Sequence, residues 1–125
     1  MRPTNIRIDY ALAKARLLKM SCHPFDIENA IHSSGVRLKY VFDLEHPTTV
    51  RVGGMYTILM PPTGSEPRDF WSMAHEFGHI HLLHYETYPA DRIVEGIDLR
   101  LLTERETYIL EQECDIFVSE LLMPN

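Results

Sequence analysis

The chain has 125 residues, of which 45% are hydrophobic and 24% are charged, and its formal net charge is −6. These values are typical of a single folded domain covering 1–125, and the negative charge argues against general binding to nucleic acid. No apolar stretch has the length of a membrane-spanning helix, and the N-terminus has no secretion signal. The two cysteines, Cys22 and Cys114, are too few for a disulfide framework, so we expect reduced thiols and a cytoplasmic protein.

The N-terminal part of the chain predicts two helices. Residues 9–20 (DYALAKARLLKM) are good helix formers. Apolar side chains recur along this segment at helical spacing, namely Tyr10, Ala13, Leu17 and Met20. A second, shorter helix is expected over 25–33, because serines and a glycine follow it.

After residue 35 the spacing of the apolar side chains changes from helical to the alternation of β-strands. Residues 36–42 (VRLKYVF) alternate in the manner of a strand. Residues 49–52 and 55–60 predict a hairpin, because the Gly53-Gly54 pair between them supplies the positive φ angles that a tight turn needs. We therefore expect a small antiparallel sheet of about three strands.

Two long helices are predicted after the strands. The first runs from about 67 to 84, and the second begins at a capping box formed by Thr103 and Glu106 and ends near 122. Residues 85–103 predict a loop with a short helix. The fold class is therefore α+β, with helices packed on the sheet.

The first long helix carries AHEFGHIHLLH at 74–84. His75 and His79 lie about 40° apart around the helix axis, so they share one face. Two imidazoles at this spacing suit a tetrahedral zinc ion, and Glu76, beside the pair, can take a proton from a metal-bound water. Gly78 is unfavourable in mid-helix and indicates a close approach by another element.

The motif needs a third ligand, because this composition gives H-E-x-x-H by chance in roughly one scrambled chain in thirty. The metzincin pattern does not supply one, since Leu82 and Tyr85 stand where that pattern needs glycine and histidine. His81 and His84 are therefore not expected to be ligands.

The last helix offers a better candidate. Glu111 lies on its apolar face, and a carboxylate on a buried face needs a compensating charge, which a dication supplies. Asp115, one turn later, is placed to hold the other ring nitrogen of a metal-bound histidine. Glu113 and Glu120 lie off this face and are expected to be solvated.

Other interpretations remain open at this stage. His75 and His79 can be core histidines in a helix pair that binds no metal. Glu111 can pair with an arginine instead, and the candidates are Arg92, Arg100 and Arg105. Two histidines and a carboxylate also form the facial triad of non-haem iron sites, although Glu76 has no evident role there.

Two segments together resemble the ImmA/IrrE family of zinc metallopeptidases. They are HEFGH followed by IHLLH, and EQECDIFVSELLMP at 111–124, which is similar to that family's closing signature. The resemblance implies a zincin-like, gluzincin-related fold. It also implies that His75, His79 and Glu111 bind one zinc ion, that Glu76 is the general base, and that Asp115 supports a ligand.

The resemblance further implies a protease that acts on a regulatory protein, often a helix-turn-helix repressor of a phage, a mobile element or a stress response. The sequence contains no helix-turn-helix segment, so a DNA-binding partner is expected to be a separate protein. The chain ends one residue after LLMP, where relatives continue, so we expect it to lack a C-terminal extension and to have reduced substrate recognition or activity.

In the expected reaction, Glu76 removes a proton from water and passes it to the leaving amine. The edge of strand 55–60 is expected to hold the substrate as an added strand. The sequence does not distinguish among five candidates for stabilising the oxyanion: Tyr56, Tyr85, Tyr88, His81 and His84. A non-catalytic alternative is a metal-stabilised module that binds a regulator or a toxin–antitoxin partner. No oligomeric state is predicted.

Overall fold

The computed structural model describes residues 1–88, 91–93, 96–98 and 101–124. The helices are α1 (Ile8–Ser21), α2 (Ile27–Ser33), α3 (Glu66–His81), α4 (His84–Thr87) and α5 (Glu104–Leu122). The strands are β1 (Arg37–Tyr40), β2 (Thr48–Val52), β3 (Met55–Met60), β4 (Asp91–Ile93) and β5 (Gly96–Asp98). The fold class is α+β, as predicted. Among the described helices, none is both long and apolar enough to cross a membrane.

The described strands form one sheet in the order β1-β3-β2-β5-β4. β2 and β3 make the predicted antiparallel hairpin, and the φ angles of Gly53 and Gly54 are positive, at 59° and 80°. β1 pairs in parallel with β3, so the sheet is mixed rather than wholly antiparallel. The alternation of side chains along a strand predicts which of them share a face, but it carries no information about the direction of the neighbouring strand.

Two further predictions about the sheet need correction. β3 lies between β1 and β2, so the prediction that its edge binds a peptide is wrong, because both of its sides are already paired. The segment 85–103 contains most of the short helix α4, but it also contains β4 and β5. These pair with each other, and β5 joins β2 at Val50↔Gly96.

α1 packs along α5 through a stripe of small and apolar side chains, Ala11, Ala15 and Leu18, which are spaced i, i+4 and i+7. The apolar residues that predicted this helix from the sequence do not form its buried face, since two of them, Leu17 and Met20, are exposed. Both stripes have helical spacing, so spacing alone does not select the buried one.

α3 and α5 approach each other closely at Gly78, as the mid-helix glycine predicted. A methyl group on Gly78 would lie 2.5 Å from Sγ of Cys114 and 3.2 Å from Cδ1 of Phe117. Phe77 packs on Phe117 beside this contact, with ring centroids 6.4 Å apart. The buried faces of the two helices therefore meet with no room for a larger residue.

We predict that Gly78→Ala destabilises the protein. Alanine has the higher helix propensity, by about 1 kcal/mol, so an unhindered site would gain stability. Here overpacking against the short, buried side chain of Cys114 should outweigh that gain and lower the free energy of unfolding by about 1–3 kcal/mol. Urea denaturation measures the change. The double variant Gly78→Ala/Cys114→Ala should recover part of the loss, and a stabilised single variant would contradict the prediction.

Candidate metal centre

α3 ends at His81, three residues before the predicted end, because Leu83 adopts a left-handed backbone conformation with φ of 62°. The hydroxyl of Tyr10 donates to the carbonyl oxygen of Leu82 at 3.0 Å, just before this break. α4 then begins at His84. The break turns the chain so that the buried ring of His84 lies next to that of His79, with centroids 5.2 Å apart.

His75, His79 and Glu111 come together between α3 and α5. Nε2 of His75 lies 2.8 Å from Oε2 of Glu111, and Nε2 of His79 lies 2.9 Å from Oε1. These are hydrogen-bond distances, shorter than the about 3.3 Å between ligand atoms around a tetrahedral zinc ion, so the three side chains lie close together and an ion between them would need them to move slightly apart. All the ion pairs described for Glu111 are with these histidines; Arg100 and the side chain of Arg92 lie outside the described residues.

The ionisable groups of this cluster shift one another's pKa. Burial raises the pKa of Glu111, but hydrogen bonds and charge from His75 and His79 outweigh it and hold that pKa well below the ordinary range. Burial lowers the pKa of His75, and Glu111 reverses this, so the pKa of His75 lies above its usual value. The side chain of Glu111 is 41% exposed, so the expected burial is only partial and the cluster faces an opening.

Cys114 is a further possible ligand that the sequence did not suggest. Its Sγ and ring nitrogens of His75 and His79 lie within 4.8 Å of one another. The thiol donates to the carbonyl oxygen of His75 at 2.8 Å, and burial raises its pKa well above the ordinary value. The thiolate is the form that binds metal, and in the metal-free protein this group is a hydrogen-bond donor. Its helical spacing from Glu111, three residues along α5, was the available signal.

Glu76 lies beside the cluster with a hydrogen bond of its own. The hydroxyl of Thr49, on β2, donates to Oε1 of Glu76 at 2.8 Å. Burial raises the pKa of Glu76, while the nearby histidines and the Thr49 hydrogen bond act in the opposite direction. A cavity of about 250 Å³ opens onto this carboxylate, and its lining consists of Pro47, Trp71, Ser72, His75, Glu76 and Asp115.

Asp115 lies where the helical spacing placed it, but the expected hydrogen bond is not formed. Its Oδ1 is 3.3 Å from Nδ1 of His75, and this buried nitrogen has no hydrogen-bond partner among the described residues. A modest shift of either side chain would complete the contact.

The prediction for Glu113 is wrong, because this residue was expected to be solvated and is fully buried. It accepts hydrogen bonds from Arg7 and from Nε2 of His84. Burial raises its pKa, but these donors outweigh that effect and lower the pKa to about 2. Burial also lowers the pKa of His84. Glu120, likewise expected to be solvated, is half-buried and accepts from Nε of Arg16 at 2.7 Å.

The five candidates for stabilising an oxyanion occupy different surroundings. His81 packs on the rings of Phe77 and Phe117, His84 is bonded to Glu113, and Tyr88 lies near Arg7. The ring of Tyr56 lies over the guanidinium of Arg51 and 6.2 Å from the ring of Tyr85.

Tyr85 is the candidate that lies next to both Glu76 and a cluster histidine. Its ring is 5.8 Å from that of His79, and its hydroxyl is close enough to Glu76 and Thr49 for both to affect its pKa. Burial and the nearby charge of Glu76 raise its pKa far above the ordinary value, so it remains a neutral hydroxyl.

Comparison with known proteins identifies a matching protein family. The family model Peptidase_M78, described as IrrE N-terminal-like domain, matches residues 31–125, about three quarters of the chain. The match includes His75, Glu76, His79 and Glu111 but not α1. No curated protein and no solved structure matches the chain.

We predict a pH-dependent loss of stability for Thr49→Val. Because burial raises the folded-state pKa of Glu76, its carboxylate form costs stability above the ordinary carboxyl range, and the Thr49 hydrogen bond offsets part of that cost. Without the hydroxyl, the metal-free protein should lose about 1–3 kcal/mol at pH 7. The loss should shrink as the pH falls and Glu76 takes up a proton.

Denaturant unfolding of wild type and variant at pH 4 to 8 measures this difference. Thr48→Val is the matched control, since the Thr48 hydroxyl donates only to the local carbonyl of His46 among the described residues. A Thr49→Val loss that is the same at both ends of the range would contradict the assignment to Glu76.

Proposed function

The chain belongs to the Peptidase_M78 family, whose domain is IrrE N-terminal-like, and from that membership we propose that it is a zinc-dependent metallopeptidase. On this proposal it hydrolyses a peptide bond in a regulatory protein. The observation that carries the proposal is the convergence of His75, His79 and Glu111 beside the cavity lined by Glu76.

His75, His79 and Glu111 would hold the zinc ion. Two histidines and a glutamate, with a further position left open, are a ligand set of catalytic zinc rather than of structural zinc. The exposure of Glu111 and the neighbouring cavity both favour such an open position. Cys114 is the competing third ligand, and its thiol instead donates to the carbonyl oxygen of His75.

A zinc ion bound there would polarise the scissile carbonyl and acidify a water molecule. Glu76 is the general base that removes the water proton and later delivers it to the leaving amine. The hydroxyl of Thr49 donates to Oε1 of Glu76. Oε2 is therefore the oxygen that would take up the proton. Burial favours this role, because it raises the pKa of Glu76 towards the pH at which a base works best.

We assign Tyr85 as the residue that donates a hydrogen bond to the carbonyl oxygen of the substrate. It lies next to Thr49 and His79, and its hydroxyl stays protonated, so it can donate a hydrogen bond to developing negative charge. His81 and His84 are engaged elsewhere in the core.

The regulatory protein that we propose as substrate is a cytoplasmic helix-turn-helix repressor of a mobile element or a stress response, supplied as a separate protein. Support for this choice comes from the family resemblance of the HEFGH and LLMP segments. Mixing the purified chain with a repressor encoded near its gene, with and without chelator, tests it directly.

We predict that Glu76→Gln abolishes cleavage without removing zinc. Loss of the general base should lower the cleavage rate by about 10³-fold, while zinc content stays at the wild-type level. Mass spectrometry of the repressor fragments and elemental analysis of the purified protein measure the two quantities. Glu86→Gln, a change of an exposed acid on α4, is the control.

Full cleavage by the Glu76→Gln variant would overturn the assignment of the base. If the zinc-loaded wild type binds the repressor stably and leaves it uncut, the non-catalytic module is the better description.

We predict that Glu111→Gln weakens zinc binding by about 100-fold, because one of three strong ligands is lost. Cys114→Ser should leave the affinity unchanged, as should Glu120→Gln on the same helix. Chelator competition measures the affinities. Cobalt substitution gives a second readout, because a cysteine ligand would add a sulfur-to-metal charge-transfer band. The reverse ranking of Glu111→Gln and Cys114→Ser would make Cys114 the third ligand.

A further inference from the structure

Four side chains form a continuous hydrogen-bonded chain that runs from the proposed metal site to the start of α1. Nδ1 of His79 lies 2.9 Å from Nδ1 of His84, and Nε2 of His84 lies 2.9 Å from Oε1 of Glu113. Glu113 is bound at its other side by Arg7. We call His79, His84, Glu113 and Arg7 the buried relay. His84 and Glu113 have no exposed surface, and His79 is buried.

The arrangement around Glu113 settles which groups carry protons. Oε2 accepts from the backbone N and Nε of Arg7, and Oε1 accepts from Nη2 of Arg7 and from His84, each at 2.9 Å. Four donors fill the acceptor sites of an ionised carboxylate and leave no acceptor for a carboxylic acid proton. Glu113 is therefore an acceptor only, and Nε2 of His84 is the donor.

The direction of the remaining hydrogen bond follows from the tautomer of His84. A neutral imidazole with its proton on Nε2 has a lone pair on Nδ1, which accepts from Nδ1–H of His79. In the metal-free protein Nε2 of His79 lies 2.9 Å from Oε1 of Glu111 and donates to it. A metal bound there would take the place of this proton and accept the Nε2 lone pair, while Nδ1–H of His79 stays bonded to His84.

We propose that His84, Glu113 and Arg7 are positioning residues that fix the tautomer and the ring orientation of His79 for metal binding. This inference rests on the proposed zinc site. A metal-binding histidine commonly donates its second ring proton to a supporting group, and loss of that group typically weakens metal binding by 10- to 100-fold. Here the supporting group is a second histidine, which is itself oriented by a carboxylate.

The relay makes α1 part of the metal centre, although α1 precedes the residues matched by the family model. Arg7 is held in place by stacking over the ring of Tyr10, with its guanidinium carbon 4.1 Å from the ring centroid. Its backbone N–H, at the start of α1, also donates to Glu113. Arg7, the residue immediately before α1, therefore supplies the cation that pairs with Glu113.

The test compares zinc affinities, by chelator competition, of the 125-residue wild type and five variants. His84→Gln keeps a donor near Nε2 for Glu113 and removes the partner of His79, whereas His84→Asn keeps an acceptor near Nδ1 for His79. Arg7→Met removes the positive charge that pairs with Glu113. The controls are Arg16→Met, which breaks the other described arginine pair between α1 and α5, and His81→Asn, which alters a nearby half-buried histidine.

We expect His84→Gln to weaken zinc binding by about 10- to 100-fold, Arg7→Met by about tenfold, and His84→Asn by less than His84→Gln. Both controls should match the wild type. Imidazole ¹⁵N NMR of the zinc-loaded wild type should show His84 with a proton on Nε2 and none on Nδ1. This second readout needs no variant and does not depend on how well the variants fold.

Each other outcome counts against the inference. Unchanged affinity in His84→Gln, equal losses in His84→Gln and His84→Asn, or a loss in Arg16→Met as large as that in Arg7→Met would overturn it while leaving the zinc site standing. So would a proton on Nδ1 of His84. A wild type that binds no zinc would overturn the proposed function, and this inference with it.

Discussion

The close packing of α3 against α5 at Gly78 sets the distance between the histidines of one helix and the acids of the other. With no side chain at Gly78, the thiol of Cys114 rests against the backbone of α3 and donates to the carbonyl of His75. The two helices are thereby held at a separation at which Glu111 reaches both His75 and His79. A wider spacing would leave the carboxylate out of reach of the imidazoles. The hydrophobic contact and the polar site are therefore parts of one arrangement.

α5 carries several acids, and the structure gives each of them a different environment. Glu111 faces the two histidines, and Glu113, half a turn away, points into the core towards His84 and Arg7. Glu120 bonds to Arg16 near the end of the helix. Because these three carboxylates each have a positive or hydrogen-bonding partner, α5 can pack against two other helices without uncompensated charge at these positions.

Local features of the chain were predictable where one short-range rule decides them. The Gly53-Gly54 turn, the capping box of α5 and the shared face of His75 and His79 depend only on neighbouring residues, and each is found as predicted or with small changes of boundary. The helical face also placed Glu111 correctly opposite the histidines, since one amphipathic helix meeting another brings their buried faces together.

Features that depend on a second, distant partner were not predictable in this way. Glu113 lies off the apolar arc of α5, yet it is buried, because α1 and α4 cover that side of the helix. The parallel pairing of β1, the addition of β4 and β5, and the choice between the two stripes of α1 are also decided by elements far away in sequence. A pattern read along one segment contains no information about such partners.

The break at Leu83 determines which residue lies behind the second histidine of the motif. On an uninterrupted helix, two residues five positions apart point about 140° away from each other. The left-handed residue is what brings His84 against His79, at a backbone cost of about 1–3 kcal/mol. Deletion or insertion of one residue between 80 and 83 would turn His84 away while leaving H-E-x-x-H unaltered. H-E-x-x-H by itself therefore does not specify the group that stands behind the second histidine, because the length of this short connection does.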